Sequence, residues 1–304
     1  MSSTKPIGII GLGQIGGGMA TRLVERGQSV IGYDIEESAR QQAAAKGVRL
    51  ASSLADVMAD CDTILSSLSS VAAIEQTYLG PGGLVTSKMP NLLAAECSTV
   101  SPGISRKITQ AMHDSGHTAI EASVIGQNRE AAAGQLFFVV SGTPQAVARA
   151  GDILALLGRG HVHIGPSGTA SAAKLINNAI GAVTLCATAE ALALARDLEI
   201  DPAAFVQLVT EGQGAGYSVV FERHAKHMAS WSKSERAPTP IALKDSMGLA
   251  ELIGDRKEAL PFLSGMAAHY RALLKDPPPQ RAFAEILTEN AEQRLAKRAT
   301  TSKT

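Results

Sequence analysis

A chain of 304 residues exceeds the usual single-domain size, and 45% hydrophobic against 18% charged residues supplies ample core for two globular domains. With 28 basic and 28 acidic side chains the formal net charge is zero, which removes the basic field that nucleic acid or an anionic membrane surface requires. Cys61, Cys97 and Cys186 form no CxxC pair and read as free thiols. With no signal-peptide pattern at the start and no uninterrupted apolar run of about 20 residues, a soluble cytoplasmic protein is expected.

In chain order, residues 6–11 (PIGIIG) predict a strand, 15–26 a helix and 29–34 (SVIGYD) a second strand. Residues 63–67, 91–96, 118–122, 136–141 and 162–164 extend the series. Strands separated by helix-like segments imply a mostly parallel, doubly wound α/β sheet of the Rossmann type, with antiparallel strands allowed late in the series. The texture changes after Gly165-Pro166-Ser167-Gly168. Residues 169–198 read as one Ala-rich helix, about 45 Å long at 1.5 Å per residue, apolar around most of its circumference and so expected to be buried. Residues 201–298 are helical in pattern, interrupted by a polar loop at 230–240 and a break at 276–279, and 297–304 read as a disordered tail. The expected organisation is therefore a dinucleotide-binding domain over 1–165, an all-helical substrate and oligomerisation domain over 166–298 joined to it by the long helix, and a tail over 299–304.

The first strand runs into Gly11-Leu12-Gly13-Gln14-Ile15-Gly16, a GxGxxG that opens a helix. Gly11 allows the tight turn, Gly13 lets the backbone approach a pyrophosphate, and Gly16 permits helix and strand to pack closely. Phosphates then sit at a helix N-terminus, where free N–H groups and the dipole favour negative charge. The second strand ends at Asp34, whose carboxylate accepts from a ribose 2′-OH and repels a 2′-phosphate. Ile35, Glu36 and Glu37 follow with no Arg directly after, so NAD is expected rather than NADP. A glycine-rich turn without nucleotide and a flavin site are the competing readings.

Further segments make nearly the whole chain resemble the β-hydroxyacid dehydrogenase family, which includes 3-hydroxyisobutyrate dehydrogenase and tartronate semialdehyde reductase and, more distantly, 6-phosphogluconate dehydrogenase. Gly11 to Ala20 is similar to the family's GLGxMGxxMA opening, and Leu68-Ser69 falls where it has a Leu-Pro pair beside the cofactor. Ser98-Thr99-Val100-Ser101-Pro102 resembles its STxSP segment, which implies that Thr99 lies by the nicotinamide ribose. Gly165 to Asn178 resembles GPxGxxxxxKLxNN, which implies a catalytic Lys174, and Leu243-Lys244-Asp245 resembles the late KD motif, whose lysine, here Lys244, reaches toward the cofactor. The resemblance also implies a C-terminal domain like that of 6-phosphogluconate dehydrogenase and homodimers or homotetramers built through it.

Spacing agrees with the lysine's assignment. Lys174 and Asn178 lie one turn apart on one face of the long helix, about 5–6 Å between Cβ atoms. The helix begins where the nucleotide domain ends, so its first turns are expected beside the interdomain cleft, a favoured place for ligands. A lysine in an apolar helix is costly unless paired or neutral; an interhelical ion pair or a snorkelling side chain is the alternative. In the mechanism implied, Lys174 exchanges a proton with the substrate oxygen as hydride moves, Asn178 orients both, and partial desolvation lowers the lysine pKa toward working pH.

The family's DAPVSGG substrate loop aligns with Glu121-Ala122-Ser123-Val124-Ile125-Gly126-Gln127, followed by Asn128 and Arg129. Ile125 cannot donate the hydrogen bond of the usual serine, so the carboxylate grip is altered. Either Gln127, Asn128 or Arg129 rebuilds an anion site, or Ile125 packs on a less acidic substrate end. The substrate set is then Ser123, Ile125, Gly126, Gln127 and Arg129, and the substrate a small hydroxyacid or its semialdehyde or keto form. His224 and His227 have helical spacing but no third ligand, so no metal is assigned. An imine reductase, and a noncatalytic NAD(H) sensor, are the rival functions; Lys174 argues against the first, and Lys174, Asn178 and Lys244 against the second.

Overall fold

The structure is a computed structural model, and it describes residues 5–230, 239–274 and 283–301. The loop expected at 230–240 and the break at 276–279 fall almost wholly outside the described residues, as do residues 302–304 of the tail. Two compact units are present, Met1–Lys174 and Leu175–Thr304.

In the first unit the elements run β1 (Ile7–Ile10), α1 (Gln14–Glu25), β2 (Val30–Tyr33), α2 (Glu37–Ala44), β3 (Arg49–Leu50), α3 (Leu54–Asp60), β4 (Thr63–Ser66) and α4 (Val71–Leu79). They continue β5 (Leu93–Glu96), α5 (Pro102–Asp114), β6 (Thr118–Ile125), α6 (Asn128–Ala133), β7 (Leu136–Ser141), α7 (Pro144–Leu157) and β8 (Gly158–Gly165). The eight strands form one sheet in the order β3-β2-β1-β4-β5-β6-β7-β8. Every neighbouring pair is parallel except β6 with β7. The chain leaves β1 in one direction and returns at β4 to build in the other, so the sheet has its switch point between those two strands, where open α/β sheets bind ligands.

Period-two alternation divides the sheet into two buried faces. Ile7, Ile9, Leu65, Leu93, Ile120, Phe138 and Val140 pack with α1 and α7, and Ile10, Ile31, Ile64, Ala94 and Ala119 pack on the other side with Met112, Tyr78 and Val57. Two strands, β6 and β8, differ from their expected extents, and a third, β3, was not among those expected. β6 runs on to Ile125 because it pairs antiparallel with β7, Ile125 lying opposite Phe137. β8 spans eight residues, and β3 is a two-residue exposed edge.

The second unit is helical. It continues α8 (Thr169–Asp197), which starts in the first unit, and adds α9 (Pro202–Gly212), α10 (Val219–Ser230), α11 (Thr239–Ile253), α12 (Pro261–Leu273) and α13 (Phe283–Thr301). α13 thus carries helix into the stretch read as a disordered tail. Leu192, Phe221, Met228, Leu249, Met266, Tyr270, Phe283 and Leu287 form its core, with the Tyr270 and Phe283 rings edge to face at 4.3 Å.

One expectation for α8 is corrected. By length and composition it is long and apolar enough to cross a membrane. Yet Leu175, Ala179, Ala189 and Leu192 are buried in this protein, which makes it a core helix on one side. On its other side Ile176, Ile180 and Leu194 are exposed, so the expected all-round burial is absent.

The turn from β1 into α1 depends on close approach. Gly11 has φ +85°, and a Cβ on Gly16 would sit 1.8 Å from the Gly11 carbonyl oxygen. Gly16→Ala is expected to force this turn open and weaken NADH binding by at least about tenfold, measured by nicotinamide fluorescence titration, since a Cβ there has no flexible neighbour to displace.

Candidate active site

The N-terminus of α1 is an open cradle. Its N-cap, Gly13, has no side chain, and a Cβ added there would meet no protein atom within 4 Å. Gly11, Leu12 and Gly16 are buried beneath it, while Gly13 and Gln14 are exposed and Ile15 is half-buried. First-turn N–H groups of a helix have no intrahelical partner, and a bare glycine cap leaves them to a ligand. Asp34 follows β2 and does more than was read from the sequence. Its Oδ2 accepts from the Leu12 N–H at 2.6 Å and its Oδ1 from the Glu36 N–H at 2.8 Å, so it ties the glycine turn to the β2–α2 corner. A carboxylate has about four acceptor positions, so capacity remains for a ribose hydroxyl.

An arginine does serve this corner, six residues on. Arg40 donates to the carbonyl oxygens of Asp34 and Ile35 and pairs with Glu37, whose carboxyl the Arg40 hydrogen bond holds below its ordinary value. Its guanidinium is thereby committed to backbone and carboxylate, not presented as a phosphate fork. Glycine cradle and strand-end acid together fit an NAD-type dinucleotide.

Beside this cradle the loops after β4 and β5 are joined through a buried carboxylate. Glu96 is 4% exposed; its Oε1 accepts from the Ser98 N–H at 2.6 Å and its Oε2 from the Ser66 hydroxyl at 2.7 Å. Ser66 also shares a hydrogen bond with the Tyr78 hydroxyl at 2.7 Å, and Ser98 Oγ accepts from the Leu68 N–H at 2.7 Å. Leu68 and Thr99 are half-buried and Ser69 exposed, so the three residues read as cofactor contacts stand on two loops held to each other by this network. Burial pushes the Glu96 carboxyl and the Tyr78 hydroxyl up, and pushes the neighbouring Cys97 thiol well up, which keeps that thiol protonated.

β6 lies next to β5 with Glu121 in register with Glu96, and Ser141 of β7 lies opposite Glu121. Glu121, 2% exposed, accepts at Oε1 from the Gly168 N–H, and at Oε2 from the Ser171 N–H at 2.7 Å and the Ser171 hydroxyl at 2.8 Å. It holds the first turn of α8, and one turn further on stands Lys174, half-buried. The strand places Ser123 inward, 1% exposed, with its hydroxyl not offered at the surface. Ile125 is half-buried, and Gly126, Gln127 and Arg129 are exposed. The Gln127 N–H is taken by the Glu130 carboxylate at 2.9 Å.

In the helical unit, Asn178 Nδ2 donates to Asp245 Oδ2 at 2.9 Å, and Lys244 Nζ donates to Asp245 Oδ1 at 2.8 Å. One carboxylate therefore aligns both polar residues read from the two helical motifs. Asp245 itself was passed over as a site residue, although it stands in the KD pair; Glu96 and Glu121 were passed over too. Their signal was a lone carboxylate inside an otherwise apolar strand, LAAE and TAIEASVI.

Residues 6–165 match the family model described as the NAD binding domain of 6-phosphogluconate dehydrogenase. Residues 168–289 match that described as the NAD-binding domain of NADP-dependent 3-hydroxyisobutyrate dehydrogenase. An NAD-dependent L-serine dehydrogenase of Pseudomonas aeruginosa is 31% identical over 288 residues, 93% of this chain and 96% of that one. The chain belongs to the β-hydroxyacid dehydrogenase family. It is an NAD-dependent oxidoreductase acting on CH–OH groups.

Solved structures agree on the fold. A 3-hydroxyisobutyrate dehydrogenase of Salmonella typhimurium superposes with a TM-score of 0.84 at 24% identity, covering 94% of this chain and 99% of that one. An imine reductase of Streptomyces aurantiacus fits less well, with a TM-score of 0.63 at 16% identity over 94% of this chain and 99% of that one.

Because burial raises the Glu96 pKa in the folded state, its stabilising contribution is complete below the ordinary carboxylate pKa and is lost as pH rises from there through the raised folded value. Glu96→Gln is expected to flatten that part of the stability–pH curve. Thermal melts from pH 4 to pH 9 will then show the variant gaining on the wild type toward the alkaline end.

Proposed function

We propose that this enzyme oxidises the hydroxyl of a small β-hydroxyacid, or reduces the corresponding semialdehyde or keto acid, with Lys174 as the acid–base group. The observation that carries the reading is the placement of Lys174 one turn after Ser171, on a helix start held by Glu121. Bound NAD supplies the hydride acceptor at the alcohol carbon. In oxidation Lys174 takes the hydroxyl proton as the C–H bond breaks and the carbonyl forms; in reduction it returns that proton to the oxygen. Asn178, aligned by Asp245, fixes the direction of the reacting oxygen, and Lys244, paired with the same carboxylate, serves the cofactor side. Leu12, Gln14 and Ile15 with Gly11, Gly13 and Gly16 are assigned to the pyrophosphate, Asp34 to the adenosine ribose, and Leu68, Ser69 and Thr99 to the nicotinamide end.

At the substrate loop the Gln127 amide already has Glu130 as its acceptor, which supports Arg129 over the backbone as the partner of the substrate carboxylate. Ile125 and Gly126 are assigned to the carbon skeleton; a serine-sized acid, such as the L-serine named for the Pseudomonas relative, suits such a site. We assign 1–165 to cofactor binding and 166–298 to substrate and assembly. The exposed Ile176, Ile180, Met247 and Phe262 support burial between copies in a homodimer or homotetramer. A cytoplasmic location suits free thiols and a neutral surface.

Lys174→Ala is expected to lose about 10²–10⁴-fold in kcat while NADH still binds, as read by fluorescence titration; near-normal turnover would sink the mechanism. Arg129→Ala should raise KM about tenfold or more for hydroxyacids and leave kcat nearly unchanged; an equal rise for their uncharged alcohols would assign the carboxylate elsewhere.

A further inference from the structure

Glu121 is a buried carboxylate with no place in the hydride chemistry, and all its hydrogen bonds in the structure come from one short stretch of chain. Gly168 N–H donates to Oε1, and Ser171 N–H and Oγ–H donate to Oε2. These donors bracket the start of α8, two of them being backbone amides at its N-terminus, where a negative charge is favoured by the dipole. Among the described residues no other side chain caps this turn in the same way: Thr169 Oγ1 donates backwards, to the Pro166 carbonyl. Ser171 and Lys174 are separated by three residues, about 4.5 Å along the axis, so any slip of the first turn passes directly to the lysine.

The carboxylate has little freedom of its own. Its strand is locked on both sides, by Ala95↔Ile120 and Glu96↔Glu121 toward β5 and by Glu121↔Ser141 toward β7. Its in-register neighbour Glu96 holds the loops that carry Leu68 and Thr99. Two adjacent residues of one sheet row thus fix the cofactor loops and the start of the lysine's helix.

We propose that Glu121 is a positioning residue for the reaction, setting the axial position and rotation of the first α8 turns so that Lys174 stands at a fixed place relative to the sheet edge. The inference rests on Lys174 being the acid–base group. Glu121 is buried beneath the site and acts through the Gly168 and Ser171 amides.

Glu121→Gln keeps the size but turns an NH2 group toward an N–H donor. It is expected to lower kcat about 10–100-fold with KM for NAD within about twofold of wild type, because only proton transfer is displaced. The primary deuterium isotope effect on hydride transfer should grow, and the pH curve for trace acetylation of Lys174, read by mass spectrometry without turnover, should move by about half a pH unit or more. Glu121→Asp, which retains both acceptor oxygens, should recover kcat to within about fivefold of wild type. Wild-type kcat and Lys174 acetylation in Glu121→Gln would overturn the proposal, as would a loss that follows only the folded fraction with isotope effect and pH curve unchanged. If Glu121→Gln does not fold, Ser171→Ala, which removes one of the donors, must still lower kcat by about threefold or more and enlarge the isotope effect, or the proposal fails. Lys174→Ala run in parallel separates the two ideas: an inactive Lys174→Ala beside an unaltered Glu121→Gln rejects the positioning role alone, whereas an active Lys174→Ala rejects the acid–base reading itself.

Discussion

Unanswered backbone amides at the carboxyl edge of the sheet are the constraint from which the rest of this site follows. Strands that end beside helix starts leave N–H groups without intrahelical partners, and burial of such groups without an acceptor is costly. Three carboxylates answer them. Asp34 takes the Leu12 and Glu36 amides, Glu96 the Ser98 amide, and Glu121 the Gly168 and Ser171 amides. At Gly13, the N-cap of α1, no side chain answers. The binding cradle and its walls are therefore two outcomes of one requirement, decided by whether an acid or a glycine occupies the corner.

This also accounts for what the sequence disclosed. Placements set by local geometry were legible: GxGxxG between β1 and α1, the acid after β2, and Lys174 and Asn178 one turn apart on α8. Residues that act through pairing across the sheet were not. Glu96 and Glu121 stand inside strands, and their partners arrive from segments 30 and 50 residues away. Asp245 was visible as half of a KD pair, but its bond to Asn178 spans 67 residues. Arg40 was hidden by distance along α2: a search for an arginine directly after Asp34 passes over one that folds back from the next helical turn. Strand extents failed for a related reason, since β6 is lengthened by a partner that follows it in the chain.

The substrate loop shows the limit of carrying a motif over by alignment. A serine replaced by Ile125 removes a donor, and the structure adds that the Gln127 amide is consumed by Glu130 within the chain. Two of the groups that would grip a carboxylate are thus absent or occupied, while the lysine helix and its asparagine are intact.

α8 brings these demands together. A helix of 29 residues built largely from alanine buries small, similar side chains, and such a surface resists axial sliding or rotation less than one with interlocking bulky residues. A slip of one residue would move Lys174 by about 1.5 Å and turn it by about 100°. Polar anchors near each end oppose that slip. Glu121 holds the first turn in the nucleotide unit, and in the helical unit Arg196, in the last turn, pairs with Glu292 at 2.7 Å and donates to the Met228 and Ala229 carbonyls at 2.8 and 2.9 Å. The acid stands at the N-terminus and the base near the C-terminus, the arrangement the helix dipole favours. Apolar contact supplies the affinity of this helix for its surroundings, but directional bonds at its ends supply its register, and the register is what an acid–base lysine requires.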